Sequence, residues 1–353
     1  MKGIVLCGGR GTRLRPITFS LAKQLVPVAN KPVIEYGLED LVEAGITDIG
    51  VIVSPETGAS VETAVRGVAE RIGFAPTFIL QDAPLGLAHA LKTALPYIDG
   101  DEVVMHLGDN LVKGGIATTV EEFSRRRPNC QILLSEVPNP EAFGVAEMDA
   151  DGSLVRLVEK PEEPPSDLAL VGIYLFDASI AAAVDAISPS ARGELEITDA
   201  IQYLIDTGKT VRWSVVDGWW KDMGTKDDLL AAQHLVIAEL ADEVSGEVTG
   251  TTVSGRLHVG AGSRVVDSEI RGPVVIGDGV EVVNSTIGPE TSIGDGCTIV
   301  DATIEGSIVM EGSEVRGWSL RSAVLGRRVR LGGAPPAGPV EMMVGDQSEL
   351  KDA

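Results

Sequence analysis

Between Arg10 and Ile34 the chain carries five basic residues, Arg10, Arg13, Arg15, Lys23 and Lys31, and neither Asp nor Glu. The chain as a whole has a formal net charge of −23, so this local concentration of positive charge asks for a chemical reason. Three glycines stand at its head, Gly8, Gly9 and Gly11, just after the apolar run that ends in Leu6 and Cys7. A loop without side chains lets backbone N–H groups close on an anion. An arginine, here Arg13, can grip phosphate oxygens in pairs, and a lysine, here Lys23, can act as a compact charge. These residue types point to the handling of phosphates. Two common phosphate loops do not fit. No Gly-Lys-Ser/Thr ending follows, and Leu14 stands where a dinucleotide-binding loop has its third glycine. Taken alone, the segment also reads as a glycine turn with solvated arginines.

A second candidate is Gly108-Asp109-Asn110, which closes the apolar run 102–107. A carboxylate at that position suits Mg²⁺, which prefers oxygen ligands and triphosphate. A turn or a helix cap is the plainer use of the same residue. Gln81, before Pro84 and Gly86, and Gln24 offer amide donors and acceptors to a base edge. Residues 81–86 are equally an ordinary strand-to-helix turn. Cys7 lies inside the glycine loop and is expected to be inert packing. His89 and His106 have no partner visible in sequence and are assigned to structure.

The elements that must position these residues follow a βαβ rhythm. Residues 3–6 and 49–53 read as buried strands, 32–44 as a helix begun by Pro32, 87–95 as a helix and 102–107 as a strand. Residues 131–137, 144–148, 154–158 and 168–176 read as further strands, and 178–187, 195–207 and 226–240 as helices. The expected fold is α/β, a Rossmann-like mixed, mainly parallel sheet covered by helices. Ligands of such sheets gather outside the carboxyl ends of the strands, where both glycine-rich stretches fall.

After residue 248 the texture changes. Aliphatics recur at Val259, Val265, Ile270, Ile276, Val282, Ile287, Ile293, Ile299 and Ile304, in steps of six shortened regularly to five, and several are followed by Gly. That is the signature of a left-handed parallel β-helix built from hexapeptide turns. The expected division is a first domain over 1–241, a β-helix over 248–331 and an extended or loosely ordered tail over 332–353. Flat β-helix faces lead to the expectation of a homo-oligomer, dimer or tetramer.

Composition narrows the function classes. A length of 353 residues favours two domains. The negative charge disfavours nucleic acid and anionic membrane as partners. Three cysteines without a CxxC spacing fit a reducing cytoplasmic setting better than a disulfide framework or a zinc ribbon. The apolar N-terminal run is too short for a signal peptide.

At this point the sequence resembles a known family. The stretch from Leu6 through Lys23-Gln24-Leu25 to Lys31-Pro32 is similar to the signature of sugar nucleotidylyltransferases. It is closest to the branch that makes dTDP-glucose from dTTP and glucose-1-phosphate, in its longer form with a hexapeptide-repeat domain. The resemblance covers the first domain and the repeat. It implies that Leu6, Gly8, Gly9, Gly11, Thr12, Gln24, Gln81, Pro84 and Gly86 bind the nucleotide, with Gly86 giving room for the base. It implies that Asp109 and Asp222 hold Mg²⁺ together, and that Arg13 and Lys23 act on the phosphates. Glu159-Lys160-Pro161 resembles the sugar-phosphate motif, with Asn110, Gly144, Val171, Gly172, Tyr174 and Arg192 around it. The sequence departs from the family at Leu85, where shorter members have an acid, and at Phe143, where a Tyr is frequent. Taken singly, Glu159 and Lys160 read as a surface pair and Arg192 as a solvated loop residue.

Other readings keep the reaction class or leave it. One is transfer to another base or sugar, with UTP, ATP or GTP. Another is a second, acyl-transferring activity in the β-helix, whose one histidine, His258, stands near its start. A third is a sensor that binds sugar nucleotides without turning them over.

Overall fold

The computed structural model describes residues 1–351. The chain forms two compact units, one of Met1–Gly9 with Val33–Asp222, the other of Arg10–Pro32 with Met223 onward. The division differs from the expected boundary near 241, because the basic segment leaves the first unit just after Gly9 and returns to it at Val33.

The first unit is built from β1 (Lys2–Leu6), α1 (Val33–Glu43), β2 (Asp48–Val53), α2 (Gly58–Ile72), β3 (Ala75–Leu80) and α3 (Leu87–Ile98). Then come β4 (Val103–Leu107), β5 (Asn110–Val112), α4 (Ala117–Arg126), β6 (Cys130–Glu136), β7 (Gly144–Met148), β8 (Leu154–Glu159) and β9 (Leu168–Phe176). It closes with α5 (Ile180–Ala186), α6 (Ile197–Asp206), β10 (Val211–Val215) and β11 (Trp220–Asp222). The main sheet runs β8-β7-β9-β4-β1-β2-β3, with β6 paired to β9 and β10 to β6. The β4-β1-β2-β3 half is parallel and β9 joins it antiparallel, so the sheet is mixed. The buried strands read as near-continuous aliphatic runs because both faces are covered. Helix α1 forms because Val33, Ile34, Leu38 and Leu41 fall on one stripe, each fully buried. Pro32 is not its first residue as expected. It pairs with Pro27 in a two-stranded ribbon of the other unit.

In the second unit, α7 (Lys226–Ile237) starts at a capping box of Thr225 and Asp228. Beyond it the chain winds as a left-handed parallel β-helix. Val248 pairs with Val265 and Val265 with Val282, so each of these coils takes 17 residues, two hexads of six and one shortened to five. Val265, Val282, Ile299, Val315 and Leu331 stack as one buried column of the core. The β-helix is longer than expected at both ends. Strands Glu243–Val244 and Glu247–Thr249 precede or overlap its expected start. The segment read as a loose tail closes the last coil, Met343–Val344 pairing with Val324–Leu325 and Glu349–Leu350 with Arg330–Leu331. Val340, Met342, Val344 and Leu350 supply its apolar contacts. The hexapeptide step is broken there by the Gly- and Pro-rich insertion of residues 332–339, which hid the coil from a periodic reading. Among the described residues no helix is long and apolar enough to cross a membrane.

Candidate active site

The candidate residues fall into two sets, one in each unit. In the first unit they gather at the carboxyl ends of β1 and β4. Gly108 N donates to Leu6 O at 3.0 Å, and a side chain at 108 would meet that carbonyl at 2.9 Å. This close approach sets Asp109 beside the loop Cys7–Gly9. Burial, and then the Asp109 carboxylate, push the Cys7 thiol far above its usual range. Fully buried and protonated, Cys7 is the inert packing residue expected of it.

Strands β5 and β11 pair so that Asp222 stands opposite Asn110, one residue from Asp109. The ladder thus brings together two carboxylates 113 positions apart in the sequence. Asn110 is a bracket in this arrangement. Its Nδ2 donates to Asp109 Oδ1 at 2.9 Å, while its Oδ1 accepts from Trp220 Nε1 at 2.6 Å and from Gly172 N at 3.3 Å. A side chain at 172 would strike the Asn110 amide at 2.8 Å, which is why glycine is required there. Trp220 is held in turn by an edge-to-face contact with Phe143 at 5.2 Å. Sequence reading named Asn110 and Gly172 as sugar contacts and passed over Trp220. The only signal for Trp220 was its place two residues before Asp222.

Two carboxylates fit a divalent cation that takes its remaining oxygens from a triphosphate and water. Among the described residues, no group of three or more His, Cys, Asp or Glu side chains is arranged to hold a metal by itself. The donor set therefore suits an ion shared with a substrate.

The expected base loop lies between β3 and α3. Gln81 is buried, with Nε2 2.9 Å from His89 Nδ1 and 3.4 Å from Gly86 O. Gly86 O can only accept, so Nε2 faces it and Oε1 points the other way, where a side chain at Gly8 would meet it at 2.9 Å. His89, assigned to structure from sequence, therefore sets the orientation of the Gln81 amide. It sits at the first turn of α3, eight residues on. Gly86 adopts φ +106, and the space a Cβ would need there is filled by the Leu195 backbone. Leu195 N donates to Leu85 O at 2.8 Å and Ala88 N to Leu195 O at 3.0 Å. These bonds tie the base loop to the segment that carries Arg192. Pro84 and Leu85 are exposed.

On the sugar-phosphate side, Glu159 ends β8 opposite Gly144. Its Oε1 accepts from Arg192 Nη1 at 3.2 Å and its Oε2 from Thr198 Oγ1 at 3.3 Å. A side chain at 144 would lie 3.2 Å from Glu159 Oε2. Lys160 follows at φ +40, its Nζ 3.7 Å from Glu159 Oε1. Arg192 also meets Glu196 at 3.3 Å and Glu194 at 3.4 Å. Both cations are exposed, and Arg192, on a turn as in the plainer reading, is held there by three carboxylates. Burial, foremost, raises the Glu196 carboxyl above its ordinary range; Glu159 adds to this, while Ser190 and Arg192 oppose it. Val171 and Tyr174 are buried in the sheet, and the Tyr174 ring stacks on Phe176 in the core. Burial first and the Glu159 charge second raise the Tyr174 hydroxyl's pKa, and its ring serves packing.

In the second unit, the segment Arg10–Pro32 folds as three single-turn helices, Thr12–Leu14, Ile17–Phe19 and Lys23–Leu25. Gly11 takes φ +59, and a Cβ there would touch Lys23 Cβ at 3.0 Å. Lys23 and Gln24 are both buried, and Gln24 Oε1 has no hydrogen-bond partner among the described residues. A buried acceptor left unmet costs about 1–3 kcal/mol, a cost that a bound donor would relieve. Arg10, Arg13 and Arg15 are exposed, and the Arg13 guanidinium lies against Gly224 at the entrance to α7, where a Cβ would sit 3.1 Å from its Nη2.

Within the first unit, a glycine loop at a strand end and two ladder-paired carboxylates define a phosphoryl-transfer type of site on an α/β scaffold. Comparison with known proteins gives the family. The chain matches the nucleotidyl transferase model over residues 2–239 and belongs to that family. It is 45% identical over 354 aligned residues to a glucose-1-phosphate thymidylyltransferase of Streptomyces griseus, with 99% of each chain covered. It is 52% identical to one from Streptomyces antibioticus, with 76% of each covered. A solved Bacillus anthracis structure assigned as a glucose-1-phosphate thymidylyltransferase, in complex with a sucrose, matches at 37% identity and TM-score 0.64, covering 69% of this chain and 97% of that one.

Proposed function

We propose that this chain transfers the nucleotidyl group of dTTP to glucose-1-phosphate, giving dTDP-glucose and pyrophosphate. The observation that carries the reading is the placing of Asp109 and Asp222 across one ladder beside the Cys7–Gly9 loop. A full-length relative of that activity supports the choice of substrates. A phosphate oxygen of the sugar phosphate attacks the α-phosphorus in line. The new O–P bond forms as the bond to the β-phosphate oxygen breaks, and pyrophosphate leaves with that electron pair. No protein nucleophile is needed, so the chain's task is positioning and charge neutralisation.

Arg13 holds the departing β- and γ-phosphates and Lys23 the α-phosphate. Lys160 and Arg192 hold the sugar phosphate, and Glu159 accepts from sugar hydroxyls. Gln24 and Gln81 offer acceptor oxygens to the N3–H of a thymine. Mg²⁺ on Asp109 and Asp222 would offset repulsion among the phosphates and make the α-phosphorus more electrophilic. The β-helix serves assembly into a homo-oligomer. Three free, buried cysteines fit a reducing cytoplasm.

The test is pyrophosphate release with glucose-1-phosphate and Mg²⁺, comparing dTTP, UTP, CTP, ATP and GTP. Preference for dTTP, with UTP second, is the expected result. Preference for another base moves the chain to a different specificity within the family, and binding without release makes it a sensor.

A further inference from the structure

The basic segment is fastened at both ends to the β-helix and to the helix that leads into it, all within the second unit. At its first half, Ser20 Oγ donates to Asp346 Oδ2 at 2.9 Å. A Cβ at Gly345 would lie 3.2 Å from Pro16 O, so the last coil touches the turn itself. Asp346 is well placed for this. Its side chain is 7% exposed and is locked by Arg327, whose N meets Oδ1 at 2.8 Å and whose Nε and Nη2 meet Oδ2 at 2.8 and 2.6 Å.

At the other end, Asn30 stands at φ +65 and donates through Nδ2 to Ile293 O at 2.7 Å. Gln233 of α7, 1% exposed, accepts from Ser292 Oγ at 2.7 Å and from Ala29 N at 3.4 Å. Its Nε2 donates to Glu290 O and Ser307 O, both at 2.9 Å. Between the two anchors lie Lys23 and Gln24.

We propose that the β-helix is a working part of the transfer site: Asp346, in its final coil, and Asn30, bonded to its fourth rung at Ile293, are positioning residues that hold Lys23 and Gln24 in place for the triphosphate. This rests on the reading of Arg10–Pro32 as the triphosphate-binding segment. The single-turn helices there make few internal hydrogen bonds, so their shape depends on what they are fixed to. An error of about 1 Å in a positioning element can cost up to about a hundredfold in rate.

The experiment uses the full chain and the variants Asp346→Ala and Asn30→Gly, the latter keeping the left-handed backbone while removing the amide. Each is expected to lower kcat by about tenfold and raise KM for dTTP, with KM for glucose-1-phosphate within about twofold of the parent, since the sugar-phosphate residues lie in the other unit. A purely structural role would instead reduce the active fraction and leave both KM values alone. A second readout needs no activity. Brief trypsin treatment, followed by mass analysis, should show faster cleavage after buried Lys23 in both variants. The pair Ser20→Ala and Ser20→Thr serves should either variant fail to fold: alanine should lose rate and threonine restore it. Unchanged dTTP kinetics and unchanged cleavage in the folded variants would overturn the proposal, as would equal rates for the Ser20 pair. Faster cleavage in a chain that transfers nothing would retain the anchoring and remove the functional reading instead.

Discussion

The sheet edge of the first unit and the basic segment of the second hold their functional side chains by opposite means. At the sheet edge, Asn110, Glu159, Arg192 and Gln81 each hydrogen-bond to other side chains, and the backbone beneath Asn110 and Glu159 is a hydrogen-bonded ladder. The basic segment has no long element of its own. It is a string of single turns hung between Asp346 and Asn30, with an unmet acceptor on Gln24. Preorganisation is thus built locally on one side and borrowed from the β-helix on the other. The contrast predicts that sheet-edge changes act through chemistry and brackets, and that segment changes act through alignment.

The largest effect belongs to the paired carboxylates. Asp222→Asn should lower kcat by about a thousandfold or more, with the fold intact by circular dichroism. Near-parental turnover would remove Asp222 from the site. Next is the bracket: Trp220→Phe keeps an aromatic ring against Phe143 but deletes the donor to Asn110 Oδ1. Loss of such a supporting bond costs about 10–100-fold in activity, and the expected value is at the low end because Gly172 N still holds Asn110. Unchanged kcat would show that Asn110 needs no help from the indole.

A smaller effect tests the base side. His89→Leu releases the Gln81 amide, so discrimination between dTTP and dCTP should fall about fivefold, the worth of one hydrogen bond. Equal discrimination would mean that the Gly86 carbonyl alone sets the amide. The smallest concerns stability. The Glu196 carboxyl is raised, chiefly by burial, so the folded chain favours its protonated form. Its ionised form is a liability at neutral pH, and stability should rise as pH falls through its folded pKa towards the ordinary glutamate range. Glu196→Gln should therefore raise Tm slightly at pH 7 and lose that advantage in acid. A fall in Tm at pH 7 would show that the Arg192 pair outweighs burial.

The sequence told most where a side chain's purpose coincides with a pattern. Aliphatic spacing gave the β-helix core and the strands Gly144–Met148 and Leu168–Phe176 to the residue. Charge contrast gave the basic segment. The ladder-paired Asp109 and Asp222 were linked through resemblance, because only pairing of β5 with β11 brings them together. Trp220 was hard to reach because its partner lies 110 residues away in sequence, and His89 because its bond to Gln81, 8 residues away, depends on how the turn between them folds. Gly86 stands out in sequence, and its left-handed backbone and the Leu195 backbone at its Cβ position emerge only from the fold. The last coil was missed because its insertion breaks the hexapeptide period, and with it went the anchor at Asp346. Helices α2 and α4 and strands β3 and β10 were not named from sequence, although Val61, Val65 and Val68 mark a thin buried stripe on α2.

The central claim is direct displacement by the sugar phosphate, with every protein group positioning or neutralising. It is tested most directly by incubating the chain with dTTP, Mg²⁺ and labelled pyrophosphate while withholding glucose-1-phosphate. The account predicts no label in dTTP until the sugar phosphate is added, and rapid exchange afterwards. Label entering dTTP without sugar phosphate would reveal a nucleotidyl group parked on the protein and contradict the account.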